Sequence, residues 1–539
     1  MSAPTDFDAT IVSDSTALGE KWKHHQAGID DTEDIDSNEL SWTSASTQTP
    51  YSVSPSRCSS EADEDMDELK TTSLKRDWTF KTPTVLGHPD GSSGGFYELM
   101  QRVREIRISI ANDFIDDYMD YSEASTSSLK EAMASLRSIP RPLGWTVDDD
   151  DNDLHVLATD TQMLLTMNLA YEKNELSRDL LFLQGGDVQV LESMRLHHTK
   201  VLNAGMAWVE SQYPSWEDSL NRAVHVMQVV AATSFARTPF RNLITDRDGT
   251  VNNYCDRYAS SQQSLYNAVW ISNFSRQCTE HLIFVTAAPL GGRLDAPGLV
   301  ELCTMPPGLV RYSGSKGREY YDHDQKRVVE IEPLPKNVEE ALDSLYRKLV
   351  LLCGEARNRL FLVLGSGLQR KCGEITIARN DPSQSVSDSE SRRFMTEVQQ
   401  AISEIDPGGI MFGMNNTGTD IEIFPRMKDG QPLFDKGNGV ASLNAQLDLG
   451  IAVGPNLVCG DTPSDLRMIE ATLDLMPNRP ATNLGVLFVI TAEQHERTPR
   501  LADQVRSLCS ANGTPYAILP SSDVLVAALA VYTKTMCRL

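Results

Sequence analysis

The residues Phe240-Arg-Asn-Leu-Ile-Thr-Asp-Arg-Asp-Gly-Thr250 are the most informative part of the sequence for its fold class. Its largely apolar first half predicts a β-strand, and two carboxylates, Asp246 and Asp248, follow directly after that strand. In open α/β sheets, ligands bind at this carboxyl edge. There Asp246 can attack a phosphorus atom as a nucleophile, while Asp248 can protonate a leaving alcohol and later deprotonate water. Gly249 permits a tight turn, and the Thr250 hydroxyl can orient Asp246.

Matching polar groups follow further along the chain, at the ends of predicted strands or the start of a predicted helix. A second apolar strand ends at Thr286, whose hydroxyl suits a phosphate oxygen, and Lys436 begins an amphipathic stretch, where its charge can neutralise phosphate. A third strand leads into Asp461 and Asp465. Because carboxylates gathered from separate strand ends repel one another, they favour a cation between them. An all-oxygen site beside phosphate suits Mg²⁺.

The order of these motifs resembles the haloacid dehalogenase (HAD) superfamily of phosphotransferases. The resemblance implies an α/β fold with a HAD-like (Rossmannoid) core. Taken singly, each aspartate is equally typical of a turn or a helix cap, and Lys436 is typical of a solvated surface lysine. Their joint order, with the groups gathered at strand ends, favours the catalytic interpretation.

The composition limits the classes of partner and the compartment. A formal net charge of −26 over 539 residues argues against nucleic acid and against anionic membranes as partners, because both attract basic surfaces. The nine cysteines include no C-x-x-C pair, which favours a reducing compartment, and we expect a cytoplasmic protein. The N-terminus lacks the features of a signal peptide, and no apolar run approaches the roughly 18 residues of a membrane span.

Five segments are predicted along the chain. Residues 1–92 are rich in Ser, Thr, Asp and Glu, so they predict a disordered acidic tail. Residues 93–237 show three- and four-residue apolar spacing, which predicts an all-α helical bundle domain. Residues 238–307 and 433–539 alternate short apolar strands with helical segments and predict the two parts of an α/β core. Residues 308–432 predict an inserted α+β cap, which would exclude water and select the substrate.

The apolar patterns also place individual elements. Helices of the bundle are expected at 128–137, 153–184, 188–212 and 216–234. Core strands are expected near 241–246, 281–286, 456–460, 485–491 and 515–519. Cap strands are expected at 309–313, 327–332, 360–364, 373–379 and 420–424, with a helix near 337–353. The apolar stripes of the bundle most simply form its own core, and they also offer a face for a protein partner or for self-association.

Two segments of the predicted cap, 313–321 and 365–371, combine glycines with charged and polar side chains. Glycines let the backbone approach a ligand, and Gln, Arg, Lys and Glu supply the donors and acceptors that sugar hydroxyls and phosphate require. Polar turns with ordinary salt bridges would have the same composition. The two segments therefore predict substrate contacts without excluding a purely structural role.

Five motifs together resemble the trehalose-6-phosphate phosphatase family, closest to its nematode type, in which a helical domain precedes the HAD core. They are Thr286-Ala-Ala-Pro-Leu290, Tyr312-Ser-Gly-Ser-Lys-Gly-Arg-Glu319, Gly365-Ser-Gly-Leu-Gln-Arg-Lys371, Lys436-Gly-Asn-Gly-Val440 and Cys459-Gly-Asp-Thr-Pro-Ser-Asp465. The similarity is specific over residues 238–475, whereas the helical region matches only in position and character.

The resemblance implies a role for each residue that matches a motif. Asp246 would be the nucleophile and Asp248 the general acid and base. Thr286 and Lys436 would contact the phosphoryl group. Mg²⁺ would be held by Asp246, by the backbone carbonyl of Asp248 and by Asp461. Asp465 would lie close behind these three ligands.

In the cap, the resemblance implies substrate contacts from the three consecutive residues Gln369, Arg370 and Lys371, and it makes Glu319 and Glu422 further candidates. Two positions depart from the family pattern: Arg247 stands where an aromatic or apolar residue is expected, and Arg467 stands where proline is expected. Neither position supplies a catalytic group, so the departures bear on rate or on local packing.

The resemblance as a whole implies a Mg²⁺-dependent phosphatase that hydrolyses trehalose 6-phosphate, a small-molecule sugar phosphate, through an aspartyl-phosphate. Two alternatives remain open at the level of the sequence. One is a HAD phosphatase for another sugar phosphate, from which only the cap residues distinguish this chain. The other is a weakly catalytic interaction protein that recruits partners through its tail and helical bundle.

Overall fold

A computed structural model describes most of the chain after residue 94. The described residues are 95–115, 123–141, 153–158, 164–203, 215–234, 237–291, 298–306, 308–324, 326–381, 383–426, 433–477 and 480–536. The predicted tail, residues 1–92, lies outside the described residues.

Helices dominate the region that precedes the core. In chain order its elements are α1 (Phe96–Ile115), α2 (Glu123–Ser138), β1 (Leu154–Ala158), β2 (Leu164–Asn168), α3 (Ala170–Asn203) and α4 (Trp216–Ala231). Helix α1 packs on α2, and α2 packs on α3. Met100 and Val103, three residues apart on α1, are both fully buried, as the helical spacing predicts. The predicted helical bundle is confirmed, with one hairpin added to it.

The hairpin corrects the predicted helix over 153–184. Residues 154–158 pair antiparallel with residues 164–168, and helix α3 begins only at Ala170. The side-chain oxygen of Asn168 accepts a hydrogen bond from the Ala170 backbone nitrogen at 3.0 Å, which satisfies a free donor of the first helical turn. Short apolar runs fit a strand as well as a helix, so the spacing alone could not separate the two.

Helix α3 is kinked at Gly186, where the sequence carries two consecutive glycines. The Gly186 backbone adopts φ 63° and ψ −156°, a conformation that side chains with a Cβ avoid. Helical residues continue on both sides of the kink. Of the helix predicted over 188–212, residues 204–212 lie outside the described residues.

The remaining elements form the core and the cap. The first part of the core holds β3 (Phe240–Thr245), α5 (Leu265–Cys278), β4 (Thr279–Val285), α6 (Leu299–Leu302), β5 (Arg311–Gly314), β6 (Glu319–Asp322) and β7 (Arg327–Glu330). The cap follows with α7 (Lys336–Gly354), β8 (Leu368–Lys371), β9 (Glu374–Ala378), α8 (Asp388–Ile405), β10 (Phe412–Asn416) and β11 (Asp420–Pro425). The second part of the core holds α9 (Lys436–Leu447), β12 (Asn456–Gly460), α10 (Leu466–Asp474), β13 (Leu484–Val489), α11 (Ala492–Arg497), α12 (Leu501–Ala511), β14 (Tyr516–Leu519) and α13 (Ser522–Met536).

Eight strands form the core sheet, in the order β14-β13-β12-β3-β4-β5-β6-β7. Pairing is parallel from β14 to β5 and antiparallel from β5 to β7. Leu243 and Leu457 join one apolar cluster with α5 and α13, whereas Ile244 and Val458 join another with α9 and α10. Parallel strands covered on both faces have nearly continuous apolar sequences. The five predicted core strands are confirmed.

Two strand runs that the sequence assigned to the cap, 309–313 and 327–332, lie in the core sheet instead. They form β5 and β7, and β5 pairs with β4 while β6 connects it to β7. The sequence could not show this, because the pairing partner of a strand is set by long-range contacts. By strand pairing, the cap therefore begins after Glu330.

The cap is a four-stranded antiparallel sheet in the order β10-β11-β9-β8, covered on one face by helices. Helix α7 contacts β8, β9 and α8. The strand predicted over 360–364 is wrong, because the apolar run forms a 3₁₀ turn, Ala356–Leu362. Its Phe361 ring stacks on Phe394 of α8 with 3.7 Å between ring centroids, so the run is buried under a helix.

The helical region is packed on the core. Helices α1 and α3 contact α5, and the buried Arg257 of the core forms an ion pair of 2.6 Å with the buried Glu172 of α3. Among the described helices, none is both long and apolar enough to cross a membrane.

Candidate active site

The site lies at the carboxyl ends of β3 and β12. Strand β3 pairs with β4 on one side and with β12 on the other, so the order of connections reverses at this point of the sheet. Such a reversal leaves a crevice at the strand ends. The register places Thr245 beside Cys459, and the Asp246 nitrogen donates to the Cys459 carbonyl at 3.1 Å. Asp246 and Asp461, which are far apart in sequence, are therefore neighbours.

A cluster of three buried carboxylates, from Asp246, Asp461 and Asp465, forms the floor of the crevice. One oxygen from each lies within 4.8 Å of the others. The Asp465 Oδ2 accepts hydrogen bonds from the Asp461 nitrogen at 3.0 Å and from the Thr462 nitrogen at 2.9 Å, which fixes the turn after β12. The predicted gathering of acidic groups from separate strand ends is present in the fold.

Lys436 enters the cluster from the start of α9, where Asp435 caps the helix. Its Nζ lies 2.9 Å from Asp246 Oδ2 and 2.6 Å from Asp465 Oδ1, and all three side chains are buried. Burial lowers the pKa of Lys436, but the two carboxylates outweigh burial and hold the pKa above its ordinary value. The lysine is therefore a fixed positive charge beside the predicted nucleophile.

The carboxylates carry more negative charge than Lys436 neutralises. Burial raises the pKa of Asp246 to about 7, and Asp465 adds to this effect although Lys436 opposes it. Burial, together with Asp465 and Asp246, raises the pKa of Asp461 well above its usual range. The buried Asp246 Oδ1 has no hydrogen-bond partner within the described parts of the chain. An unpartnered carboxylate oxygen in an all-oxygen cluster fits a small divalent cation such as Mg²⁺.

Asp248 lies beside this cluster and is not part of it. Its Oδ1 accepts hydrogen bonds from Arg247 Nη1 at 2.7 Å, from Ser261 Oγ at 2.8 Å and from Asn252 Nδ2 at 3.2 Å. About a quarter of the side chain, 23%, remains exposed, and it lines the cavity above the strand ends. The two aspartates of the first motif therefore occupy different environments.

That cavity lies between the core and the cap and has a volume of about 860 Å³. Thr286, at the end of β4, lines it together with Asp246 and Asp461. The Thr286 hydroxyl accepts a hydrogen bond from the Ala288 nitrogen at 3.3 Å, which orients it at the start of the loop. The structure thus places Thr286 at the cavity wall, as its position at a strand end predicts.

In the cap, the three consecutive candidates for substrate contact, residues 369–371, lie on two different faces of the sheet. Strand β8 is antiparallel to β9, and its side chains alternate between the two faces of the cap sheet. Gln369 and Lys371 line the cavity. Arg370 lies on the opposite face, fully buried, where it bonds Glu339 Oε1 at 2.7 Å and Asp343 Oδ1 at 2.9 Å. We therefore correct the expectation for Arg370, which anchors helix α7 and lies away from the cavity.

Glu319 and Glu422, the further candidates, are also placed outside the cavity wall. Glu319 is buried, and its Oε1 accepts hydrogen bonds from Ser315 Oγ at 2.6 Å and from the Leu290 nitrogen at 3.1 Å. These contacts hold two loops of the core together. Glu422 accepts a hydrogen bond from Asn415 at 3.0 Å on a partly exposed strand of the cap. The expected substrate contact of Glu319 is therefore replaced by a structural one.

Several groups around the cluster were not predicted from the sequence. Gln494 of α11 donates to Asp461 Oδ2 at 2.6 Å, and Thr250 donates to Asp461 Oδ1 at 2.8 Å. The Thr250 hydroxyl therefore orients Asp461 and not Asp246. Glu374 accepts from Lys371 at 3.1 Å and from Lys316 of the core at 2.7 Å, which connects cap and core. Gln494 lies in no recognisable motif, so only the fold could identify it.

The fold and the site together define the HAD class of phosphotransferase folds: a largely parallel sheet with acidic residues at the ends of β3 and β12, and a cap inserted above them. Residues 243–525, more than half of the chain, match the family model described as trehalose-6-phosphate phosphatase, C-terminal. Residues 94–199 match the model described as its N-terminal helical bundle domain. The chain belongs to the trehalose-6-phosphate phosphatase family.

Individual relatives match this chain over different shares of its length. A Caenorhabditis elegans protein named α,α-trehalose-phosphate synthase (UDP-forming) 2 is 25% identical over 87% of this chain and 36% of its own length. A C. elegans trehalose-phosphatase is 31% identical over 49% of this chain and 59% of its own length. The chain thus spans about a third of the length of the synthase relatives. The match to the solved structure of a C. albicans trehalose-6-phosphate phosphatase C-terminal domain covers 58% of this chain and 96% of that domain, at 13% identity and with a TM-score of 0.37.

Proposed function

We propose that this protein is a trehalose-phosphatase, which hydrolyses trehalose 6-phosphate to trehalose and phosphate with the help of Mg²⁺. The observation that carries the proposal is the buried cluster of Asp246, Asp461 and Asp465 with Lys436 inside it, at the floor of a cavity that the cap covers. Membership of the family supports the substrate, and the similarity to a named trehalose-phosphatase supports the reaction.

The reaction would proceed in two displacements. In the first, an oxygen of Asp246 forms a bond to phosphorus, the bond between phosphorus and the sugar oxygen breaks, and Asp248 gives its proton to that oxygen. In the second, Asp248 takes a proton from water as the water oxygen bonds to phosphorus, and the bond to Asp246 breaks. Lys436 would hold Asp246 in place and attract the dianionic phosphoryl group.

Asp246, Asp461 and the backbone carbonyl of Asp248 would hold Mg²⁺, with Asp465 behind them. Bound there, the ion would neutralise charge between the carboxylates and the phosphate. Gln494 and Thr250 each engage one oxygen of Asp461, so they would orient this ligand. Thr286 would donate its hydroxyl to a phosphoryl oxygen at the cavity wall.

The cap would recognise the sugar. Gln369 and Lys371 line the cavity from above and carry donors and an acceptor that fit sugar hydroxyls. The boundaries of the tail (1–92), the bundle (93–237) and the divided core stay predictions, whereas the start of the cap is the one corrected above. The cytoplasmic location and a partner for the helical region also stay predictions.

The decisive experiment measures phosphate release from a panel of sugar phosphates, with and without Mg²⁺. We expect trehalose 6-phosphate to have the highest kcat/KM, and preference for another sugar phosphate would overturn the substrate. Asp246→Asn should abolish turnover with an unchanged circular dichroism spectrum. Asp503→Asn is the matched control, because Asp503 is an exposed side chain on α12. Normal turnover by folded Asp246→Asn would refute the aspartyl-phosphate.

A further inference from the structure

The environment of Asp248 Oδ1 is unusual for a carboxylate at a cavity wall. Three donors converge on this one oxygen, from Arg247 at 2.7 Å, Ser261 at 2.8 Å and Asn252 at 3.2 Å. A carboxylate oxygen has two lone pairs, so three donors leave no place for a proton on it. Any proton that Asp248 carries must therefore lie on Oδ2.

Arg247 is the strongest of the three donors, and it is itself held rigidly. Its side chain is fully buried, its Nη2 donates to the Ser261 carbonyl, and its Nη1 lies 3.4 Å from Ser261 Oγ. A guanidinium is a planar fork with fixed donor directions, so it can fix the rotation of a neighbouring carboxylate. Arg247 is also the residue that departs from the family pattern within this motif.

The helical region supports the same group from the other side. The Tyr171 hydroxyl of α3 lies 2.9 Å from Asn252 Oδ1 and 2.8 Å from the Gln262 carbonyl. The amide nitrogen of Asn252 then reaches Asp248 Oδ1, and it also lies 3.1 Å from Ser261 Oγ. A continuous chain of hydrogen bonds thus joins α3 to Asp248.

We propose that Arg247 is a positioning residue that fixes Asp248 Oδ1, with Asn252 and Ser261, so that Oδ2 holds the proton that the leaving oxygen receives. Tyr171 completes this arrangement from the helical region and gives that region a part in the reaction. The proposal rests on the proposed role of Asp248 as the proton donor.

The consequence is a dependence on the leaving group. A misplaced acid slows the departure of a basic oxygen and hardly affects an oxygen that leaves well as an anion. Phenyl phosphate and 4-nitrophenyl phosphate have similar shapes, no sugar and leaving groups of different basicity, so cap contacts do not separate them. The parameter kcat/KM covers only the steps through the departure of the leaving group, if that departure is irreversible.

The experiment compares kcat/KM for both aryl phosphates in the full-length wild type, Arg247→Met, Arg247→Lys and Asp248→Asn. We expect Arg247→Met to lower the ratio of kcat/KM for phenyl phosphate to kcat/KM for 4-nitrophenyl phosphate about tenfold or more, because a hydrogen bond to a charged group is lost. Asp248→Asn should lower the same ratio. Arg247→Lys should recover part of the ratio. If Arg247→Met fails to fold, Ser261→Ala removes another donor and is read in the same way.

The role of the helical region has its own matched pair. Tyr171→Phe should lower the same ratio about threefold. Tyr266→Phe should leave it unchanged, because Tyr266 packs on Phe182 of α3 but its hydroxyl has no hydrogen-bond partner in the described structure. Equal effects of the two variants would overturn the part assigned to Tyr171.

The outcomes separate this proposal from the proposed function. If Asp248→Asn leaves the ratio unchanged, Asp248 is not the proton donor, and both proposals fail at that step. A second outcome is that Asp248→Asn lowers the ratio, whereas Arg247→Met and Ser261→Ala reduce kcat/KM equally for both aryl phosphates. Arg247 would then support only the fold. The positioning role would be refuted, and the proposed function would stand.

Discussion

The alternation of side chains along β8 leads to opposite expectations for two adjacent basic residues. Lys371 lines the cavity between core and cap, whereas Arg370 lies on the other face of the cap sheet against helix α7. Replacing each by alanine removes one positive charge from the same strand. The two variants are therefore controls for each other, because the charge is lost from opposite faces of the cap sheet.

For Lys371→Ala we expect a loss of sugar recognition. A hydrogen bond to a charged group contributes about 1.5–3 kcal/mol, which corresponds to a fall of roughly 10- to 150-fold in kcat/KM for trehalose 6-phosphate. Activity on 4-nitrophenyl phosphate, which lacks both sugar rings, should change by less than about threefold. The melting temperature should fall less than for Arg370→Ala, because Glu374 keeps its contact with Lys316 at 2.7 Å.

For Arg370→Ala we expect a loss of stability. The guanidinium is fully buried and pairs with Glu339 at 2.7 Å and Asp343 at 2.9 Å. Breaking a buried pair costs about 3–5 kcal/mol, and the partial exposure of both carboxylates lowers this to about 2–3 kcal/mol because water can replace the arginine. A domain of this size should then melt about 4–12 °C lower. Both substrates should lose activity in the same proportion.

The assay is kcat/KM for both substrates together with Tm for each variant. If Arg370→Ala reduced only the trehalose 6-phosphate activity at an unchanged Tm, Arg370 would contact the sugar and would not anchor helix α7. An equal loss on both substrates for Lys371→Ala would place this lysine in the chemistry or in the fold, and not in sugar recognition.

Three further predictions concern the metal, the link between cap and core, and the helical region. Chelation with EDTA should abolish phosphate release and Mg²⁺ should restore it, with Ca²⁺ less effective because of its looser coordination; full activity after exhaustive chelation would contradict the metal site. Burial raises the pKa of Glu374, but Lys371 and Lys316 outweigh it and bring the pKa from 4.5 to about 2. Glu374→Gln should therefore lower Tm at pH 7. The difference in Tm between the wild type and this variant should persist down to about pH 4.5 and shrink toward pH 2. A Tm difference that grows on acidification would contradict the lowered pKa of Glu374. A fragment of residues 238–539 should lose thermal stability, since the buried Arg257 would lose Glu172; a fragment as stable as the full chain would show that the helical region folds and acts independently.

The sequence was sufficient for the core strands because of how this sheet is buried. Strands covered on both faces need apolar residues at nearly every position, so β3, β4, β12, β13 and β14 stand out as short apolar runs. The polar residue that follows each run then lies at one edge of the sheet. Asp246 and Asp461 could therefore be predicted to lie at that edge, and the pairing of β3 with β12 makes them neighbours.

The sequence was not sufficient where the answer depended on pairing between distant strands. The runs that became β5 and β7 are apolar enough for any sheet, and only their pairing with β4 and β6 assigns them to the core. The hairpin of β1 and β2 has the same cause, because its apolar residues fit a helix until the two strands are seen to pair. A short apolar run does not specify its partner.

Local burial and local order were enough to predict the class of fold, the five core strands and the carboxylates that follow β3 and β12. The packed fold is needed to show which face of β8 each side chain occupies, that Gln494 and Thr250 hold Asp461, and that Arg247 and Tyr171 hold the groups around Asp248. The physical reason is that hydrogen bonds and ion pairs are directional and short, so they depend on the register of packed elements, which no local pattern encodes.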